Sequence, residues 1–374
     1  MQYDVVIVGG GLAGLISALE LKRGGLQVLV IEKKHYPFHR VCGEYISNEV
    51  VPYLHSLGIY PNHLEPAQIQ QFLLSSVNGR SITMPLDLGG FGVSRYALDD
   101  FLYQQAMATG VEFVLGSQVM HATLIDGQTM VIETDRGEQY QSALVVGAFG
   151  KRSRLDKSLD RKFIEQRSDY LGVKYHLKTD FPSDMIALHN FAGGYCGLSR
   201  VEGDVYNMCY LGSRKHLRQF GSIPEMEAAV VKQNPFLQEV FENSDFLFEK
   251  PVVINEISFT PKEPVYHHVL MAGDSAGLIT PLCGNGMALA IHAAKLLSGL
   301  ILHHYSPGNS WDRPALESAY AHTWQRHFAR RLWAGRKIQG LFGGVWASNM
   351  AVTMGKGMPA VARLLMKQTH GKAF

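Results

Sequence analysis

The chain begins with two short β-branched runs on either side of a helical repeat. Val5 to Val8 forms an uninterrupted apolar run, Gly9, Gly10 and Gly11 break it, and an apolar segment with helical spacing follows. A second run, Val28 to Ile31, ends in Glu32. Continuous apolar runs of this length predict buried strands, so the first segment reads as strand, helix, strand. Farther along, the pattern predicts a helix over Tyr96–Thr109 and strands from Val111 to Phe149, with Leu144 to Gly147 returning to the first sheet. A last strand follows over Val269–Ala272, and then a long uncharged helix. Between these, from Asp169 to about Val253, stretches such as LGVKYHLK and MIALHNF alternate in period two. They predict an antiparallel sheet with a hairpin turn near Glu202-Gly203-Asp204 and a helix around Pro224–Lys232. From Pro314 onward the pattern is helical, first charged and then apolar.

The expected architecture is therefore α/β. A discontinuous nucleotide-binding domain takes residues 1–75, 96–160 and 254–305, a substrate domain takes 76–95 and 161–253, and a helical region takes 306–374. Asp4 ahead of the first apolar run argues against a secretory signal, and the glycines argue against a membrane helix. A composition of 46% hydrophobic and 18% charged residues, with a net charge of +2, fits a folded protein and no dedicated nucleic-acid partner. The four cysteines, Cys42, Cys196, Cys209 and Cys283, have neither zinc nor disulfide spacing, so a reducing cytoplasm is the expected compartment. One asymmetry stands out. After Glu317 no acidic residue occurs, while basic residues from Arg326 to Lys372 do, which offers a peripheral membrane contact or a solvated helical face.

Gly9-Gly10-Gly11-Leu12-Ala13-Gly14 completes the spacing G-x-G-x-x-G between the first strand and its helix. Gly9 permits the tight turn, Gly11 lets a diphosphate approach the backbone, and Gly14 lets the helix lie close to the strand. The helix N-terminus offers free N–H groups to that phosphate. Glu32, followed by Lys33, ends the second strand where a carboxylate can accept both ribose hydroxyls and disfavour a 2′-phosphate, as for FAD or NAD. The far end of the chain decides between them. Gly273-Asp274 follows a strand, and a loop with Pro281, Gly284, Asn285, Gly286 and Met287 opens the long helix. A ribityl chain needs such a second element, with Asp274 accepting from a hydroxyl and the helix aiming its positive end at the flavin pyrimidine.

GGGLAG with Glu32, VSRYALDDFL at 93–102 and AGDSAG–PLCGNG together resemble the FAD oxidoreductases of the para-hydroxybenzoate hydroxylase fold. RVCGEYIS at 40–47 is similar to the Cys-Gly motif of their geranylgeranyl reductase-like branch. The resemblance implies a Rossmann-like FAD-binding domain of the GR2 type with an inserted antiparallel substrate domain and a helical C-terminus. It further implies that Arg40 and Arg95 brace the cofactor, that Gly150 lies beside it, and that Cys42 and Gly43 sit near the isoalloxazine ring, with Cys42 a candidate catalytic residue and an inert buried thiol as the alternative. Glu44 becomes a candidate proton donor if a hydrophobic cavity raises its pKa, with surface solvation as the alternative. His176 and His189 read as ordinary strand histidines.

Two departures from that family bear on the chemistry. LVVGAFGKRSRL carries Phe149 where the family has an aspartate, which makes rapid reduction by the usual donor, NAD(P)H, doubtful. The prenyl-facing Tyr-x-Trp-x-Phe-Pro motif survives only as Tyr195, and the halogenase Trp-x-Trp-x-Ile-Pro signature is missing. The leading expectation is hydride transfer at flavin N5 on a hydrophobic or carrier-bound small molecule: an isoprenoid, a polyketide or an acyl intermediate presented by an acyl carrier protein. The alternatives are a monooxygenase using a C4a-hydroperoxide and a flavin-binding protein without catalysis.

Overall fold

The computed structural model describes residues 2–166, 168–255, 257–278, 285–308, 311–339, 343–357 and 371–374. The chain first lays down β1 (Gln2–Val8), α1 (Leu12–Arg23) and β2 (Val28–Glu32). β3 (Tyr45–Ser47), α2 (Val51–Ser56), β4 (Ala67–Ser75) and β5 (Ser81–Gly92) follow, then α3 (Arg95–Ala108) and β6 (Glu112–Leu115). A meander of β7 (Val119–Ile125), β8 (Thr129–Thr134) and β9 (Gln139–Gly147) leads to the short α4 (Arg154–Ser158). The inserted region carries β10 (Tyr170–Lys178), β11 (Met185–Phe191), β12 (Gly194–Arg200) and β13 (Tyr206–Ser213). After them come α5 (Arg214–Phe220), α6 (Ile223–Ala229), α7 (Pro235–Asn243), β14 (Asp245–Phe246) and β15 (Val252–Asn255). β16 (Val265–Tyr266), β17 (Val269–Met271), α8 (Gly286–His304), α9 (Arg313–Gln339) and α10 (Val345–Gly357) complete the described chain.

Two sheets organise these elements. The first runs β16-β17-β9-β1-β2-β6, with β17, β9, β1, β2 and β6 parallel and the β7–β8 hairpin attached to β9. Val5, Val6, Ile7, Val30 and Ile31 are buried, and α1 packs on β1 and β2 with α3 and α8 against it. Covering on both faces explains why the strands read as unbroken apolar runs. Each fully buried Val or Ile contributes about 1.5–3 kcal/mol. Gly9, Glu32 and Gly147 stand at the carboxyl ends of three neighbouring parallel strands, where open α/β sheets bind ligands.

The second sheet runs β14-β10-β13-β12-β11-β4-β5-β3, with β15 also on β10. It forms a roof over those strand ends. Three features of it differ from the sequence-based reading. β3 and β4 belong to the roof and not to the nucleotide domain, β15 carries the roof to Asn255, and β4 pairs with β11 in parallel. Long-range pairing of this kind leaves no local pattern in the sequence. The hairpin turn at Glu202–Asp204 and the α3 helix stand where the pattern puts them.

Strand alternation gives the roof two distinct faces. Leu171, Val173, Tyr175, Leu198, Met208 and Tyr210 point outward into a core with Met226, Leu237 and Val240 of α6 and α7. Residues one step away along the same strands face the cavity side: Lys174, His176, Asn207, Cys209 and Leu211.

Candidate flavin and substrate cavity

A cavity of about 820 Å³ lies between the two sheets, lined from the glycine-rich loop at one end to the roof strands at the other. At the loop, Gly9 has φ +100°, and a Cβ there would stand 2.6 Å from the Ala148 carbonyl oxygen. A Cβ on Gly14 would stand 2.0 Å from the Gly9 oxygen, so both glycines are required by packing. Gly11 differs: its Cβ would meet nothing nearer than Arg95 Nη2 at 3.5 Å, with Arg40 Nη2 at 4.0 Å. Space is left there for a ligand. Gly11 caps α1 without any side-chain hydrogen bond, so the first-turn N–H groups remain for that ligand, and Leu12 and Ala13 line the same wall.

Glu32 is 3% exposed and held from two sides. Oε2 accepts from Gly10 N at 2.8 Å, and Oε1 accepts from Lys34 N at 3.1 Å. Lys33 is exposed on the rim of the cavity. Arg40 and Arg95 converge on a residue that the motifs do not single out, Asp99. Arg95 donates from Nε and Nη2 to the two Asp99 oxygens at 2.7 Å each, and Arg40 Nε donates to Oδ2 at 2.9 Å. Asp99 is 1% exposed and fixes both guanidinium planes above Gly11. The signal for it was present in VSRYALDDFL as the i,i+4 spacing of Arg95 and Asp99 on a helix.

At the other end of the first sheet, Gly273 (φ +66°) opens a single 3₁₀ turn, Gly273–Ser275, with its Cβ position 3.2 Å from the Ala13 methyl. Asp274 lines the cavity on this turn. Two buried cations hold the turn, neither evident from sequence. Arg161 donates to the Ser275 carbonyl at 2.9 Å and to Asp156 Oδ1 at 3.0 Å. Lys262 donates to the carbonyls of Asp274 (3.0 Å) and Lys151 (2.7 Å). Burial brings the Lys262 ammonium down to a pKa of about 8. Asn285 caps α8, and Gly286 and Met287 of its first turn line the cavity, as do Phe149 and Gly150 (φ +85°). Pro281 and Gly284 lie outside the described residues.

The roof meets the Cys-Gly-Glu segment through charge. Glu44 has φ +54° and is fully buried. Its Oε1 accepts from the Lys174 ammonium and, at 2.7 Å, from Arg95 N, and its Oε2 contacts His176 Nε2 at 2.7 Å. Burial works to raise the Glu44 pKa, but Lys174 and His176 outweigh it and hold the carboxyl below its ordinary value. This corrects the expectation of a surface glutamate or a high-pKa acid. Glu44 is a buried carboxylate salt-bridged to Lys174. Cys42 and Gly43 line the cavity beside it. His176 takes part in this network, whereas His189 bonds Ser75 Oγ (2.9 Å), stacks on Phe236 and is driven by burial down to about 3. His189 is a neutral packing residue. Away from Glu44 the cavity becomes apolar, with Phe72, Ile186, Leu188, Tyr195, Leu211 and Leu278 lining it. Val352 of α10 packs behind Leu188, Tyr195 and Leu211.

Three kinds of likeness agree with this site. The FAD binding domain family matches residues 2–229, more than half of the chain. Among curated proteins, the chain is 24% identical to digeranylgeranylglycerophospholipid reductase 2 of Methanopyrus kandleri, covering 79% of this chain and 76% of that one. Protein FixC of Salmonella typhi is 27% identical, with 80% and 76% covered. Among solved structures, a geranylgeranyl bacteriochlorophyll reductase-like protein from Thermoplasma acidophilum superposes with a TM-score of 0.74 at 18% identity, covering 98% of this chain and 99% of that one. The flavin-dependent brominase Bmp2 gives 0.74 at 19% identity, with 98% and 94% covered. The glycine cradle open at Gly11, the paired guanidiniums above it and the buried ribose-side carboxylate suit a flavin dinucleotide. The chain belongs to the FAD binding domain family, as an FAD-dependent oxidoreductase.

Proposed function

We propose that this oxidoreductase moves hydride between FAD and a carbon of a hydrophobic, chain-like molecule, an isoprenoid, polyketide or acyl intermediate, seated beneath the roof. The observation that carries this reading is the apolar half of the cavity, from Phe72 and Leu188 to Leu278, continuous with the glycine loop. Relatives named as geranylgeranyl diphosphate and digeranylgeranylglycerophospholipid reductases support the isoprenoid member of that class. Bound FAD supplies a two-electron carrier.

The chain's own residues bind, orient and exclude water. The Gly9–Gly14 loop and the start of α1 hold the diphosphate with Arg40 and Arg95, Glu32 takes the ribose, and Asp274 takes the ribityl chain. Asn285, Gly286 and Met287 present the positive end of α8 to the ring. Gly150 and Gly43 give the cofactor room, and Cys42 stands at the polar end of the cavity. Glu44 is anionic and keeps Lys174 and Arg95 in place. Delivery from an anionic membrane surface is consistent with the acid-free stretch after Glu317, where Trp333 and Trp346 are 57% and 75% exposed. An acyl carrier protein is the other mode of delivery.

The test is anaerobic turnover with chemically reduced flavin and prenyl or acyl acceptors. A product reduced by two electrons without oxygen supports the reading, and oxygen uptake tied stoichiometrically to product replaces it with the monooxygenase. Phe149 leads us to expect slow flavin reduction by both NADH and NADPH, read from loss of the flavin band in a stopped flow.

A further inference from the structure

Contacts from β10 and β13 pin the roof to the segment 41–44, and they bracket one sulfur. Gly172 of β10 lies against Val41, so that a Cβ there would stand 2.9 Å from Val41 Cγ1. Lys174, two residues on, reaches Glu44. Asn207 of β13 donates from Nδ2 to the Cys42 carbonyl at 3.2 Å. In the register of these strands Gly172 stands opposite Leu211, Lys174 opposite Cys209 and His176 opposite Asn207. Cys209 thus shares the face of Asn207, one alternation along β13, and sits beside the lysine that grips Glu44. Cys42 and Cys209 both line the cavity and both are free thiols. Cys196, by contrast, points to the opposite face of the roof among Leu198, Met208 and Tyr210.

The geometry points to Cys42 and Cys209 as an oxidisable dithiol that closes into a disulfide between the FAD-side loop and the roof, where the two meet at the cavity wall. Burial pushes the Cys209 thiol up to about 12, which disfavours it as the first nucleophile, so the first attack falls to Cys42. The oxidant is hydrogen peroxide, the by-product of any reduced flavin that meets oxygen. Cys42 sulfur attacks one peroxide oxygen, the O–O bond breaks, and a sulfenic acid and one water form. Cys209 sulfur then attacks the Cys42 sulfur, the S–O bond breaks, and the departing hydroxide takes the Cys209 proton as a second water. Each sulfur gives up one electron, and the two peroxide oxygens accept them. The bridge fastens β13 to the 41–44 segment and is reopened by dithiol reductants.

The test treats the FAD-loaded protein with hydrogen peroxide, alkylates the remaining thiols, and maps tryptic peptides without reduction. The expected product is the peptide 41–80 joined to 201–214, reverting with dithiothreitol, while the 179–200 peptide carrying Cys196 is alkylated. Cys42→Ser and Cys209→Ser should each abolish the joined species, and Cys196→Ser should leave it. Full alkylation of both Cys42 and Cys209 after peroxide overturns the proposal, as does a bridge from Cys42 to Cys196 or Cys283.

Discussion

Arg95 and Asp99 stand one helical turn apart on α3, and Arg95 takes both oxygens of the buried carboxylate at 2.7 Å. Asp99 also holds Arg40, so one anion sets the direction of two cations that face the Gly11 space. Removing it leaves the cations present but unaimed. Asp99→Ala is expected to weaken FAD binding by roughly tenfold or more, or about 1.4 kcal/mol. The check is flavin retained after dialysis, measured as the ratio of flavin to protein absorbance. Retention equal to wild type would remove Asp99 from the site.

The two glycines of the cradle should fail differently. Gly14→Ala sets a methyl 2.0 Å from a backbone oxygen, so the helix must shift from the strand and the protein should lose thermal stability with or without flavin. Gly11→Ala meets only ordinary contacts, so the apoprotein should melt like wild-type apoprotein while FAD affinity falls by roughly tenfold or more. Melting curves of both apoproteins, beside flavin titrations, separate the cases.

Glu44 and Lys174 are each fully buried, and each is the other's neutralising charge. Glu44→Gln strands the ammonium and should cost about 3–5 kcal/mol of stability. Adding Lys174→Met removes the stranded charge, so the double variant should be more stable than Glu44→Gln alone. Denaturant unfolding of wild type, Glu44→Gln, Lys174→Met and the double variant reads the coupling.

His189 has a folded pKa of about 3, below its ordinary 6.5, because burial penalises the charged ring. The unfolded chain takes up a proton in that window and the folded chain does not. The stability is therefore fully present above pH 6.5 and declines as pH falls toward 3, at about 1.4 kcal/mol per pH unit for this one group. Denaturation midpoints of His189→Gln at pH 7 and pH 5 should differ less than those of wild type.

Local periodicity and glycine spacing were enough to reveal the strand–helix–strand start, the carboxylate at Glu32, the second glycine element at Gly273 and the alternating roof strands. Each is specified within a short window, by burial of one element or by one turn. Asp99 left a local trace in its i,i+4 spacing to Arg95, but Arg161, Lys174 and Lys262 could not be read that way, because their partners lie in other elements and a lone charge in a sequence looks like surface. Glu44 is the clearest case. By itself it suggests a solvated or high-pKa acid, and only the arrival of Lys174 and His176, more than a hundred residues later in the chain, makes it a buried carboxylate. The sequence alone determined which cofactor the first sheet grips. The tertiary structure decided which charges face one another across the cavity, since in a low-dielectric interior the partner, and not the residue type, sets the charge state.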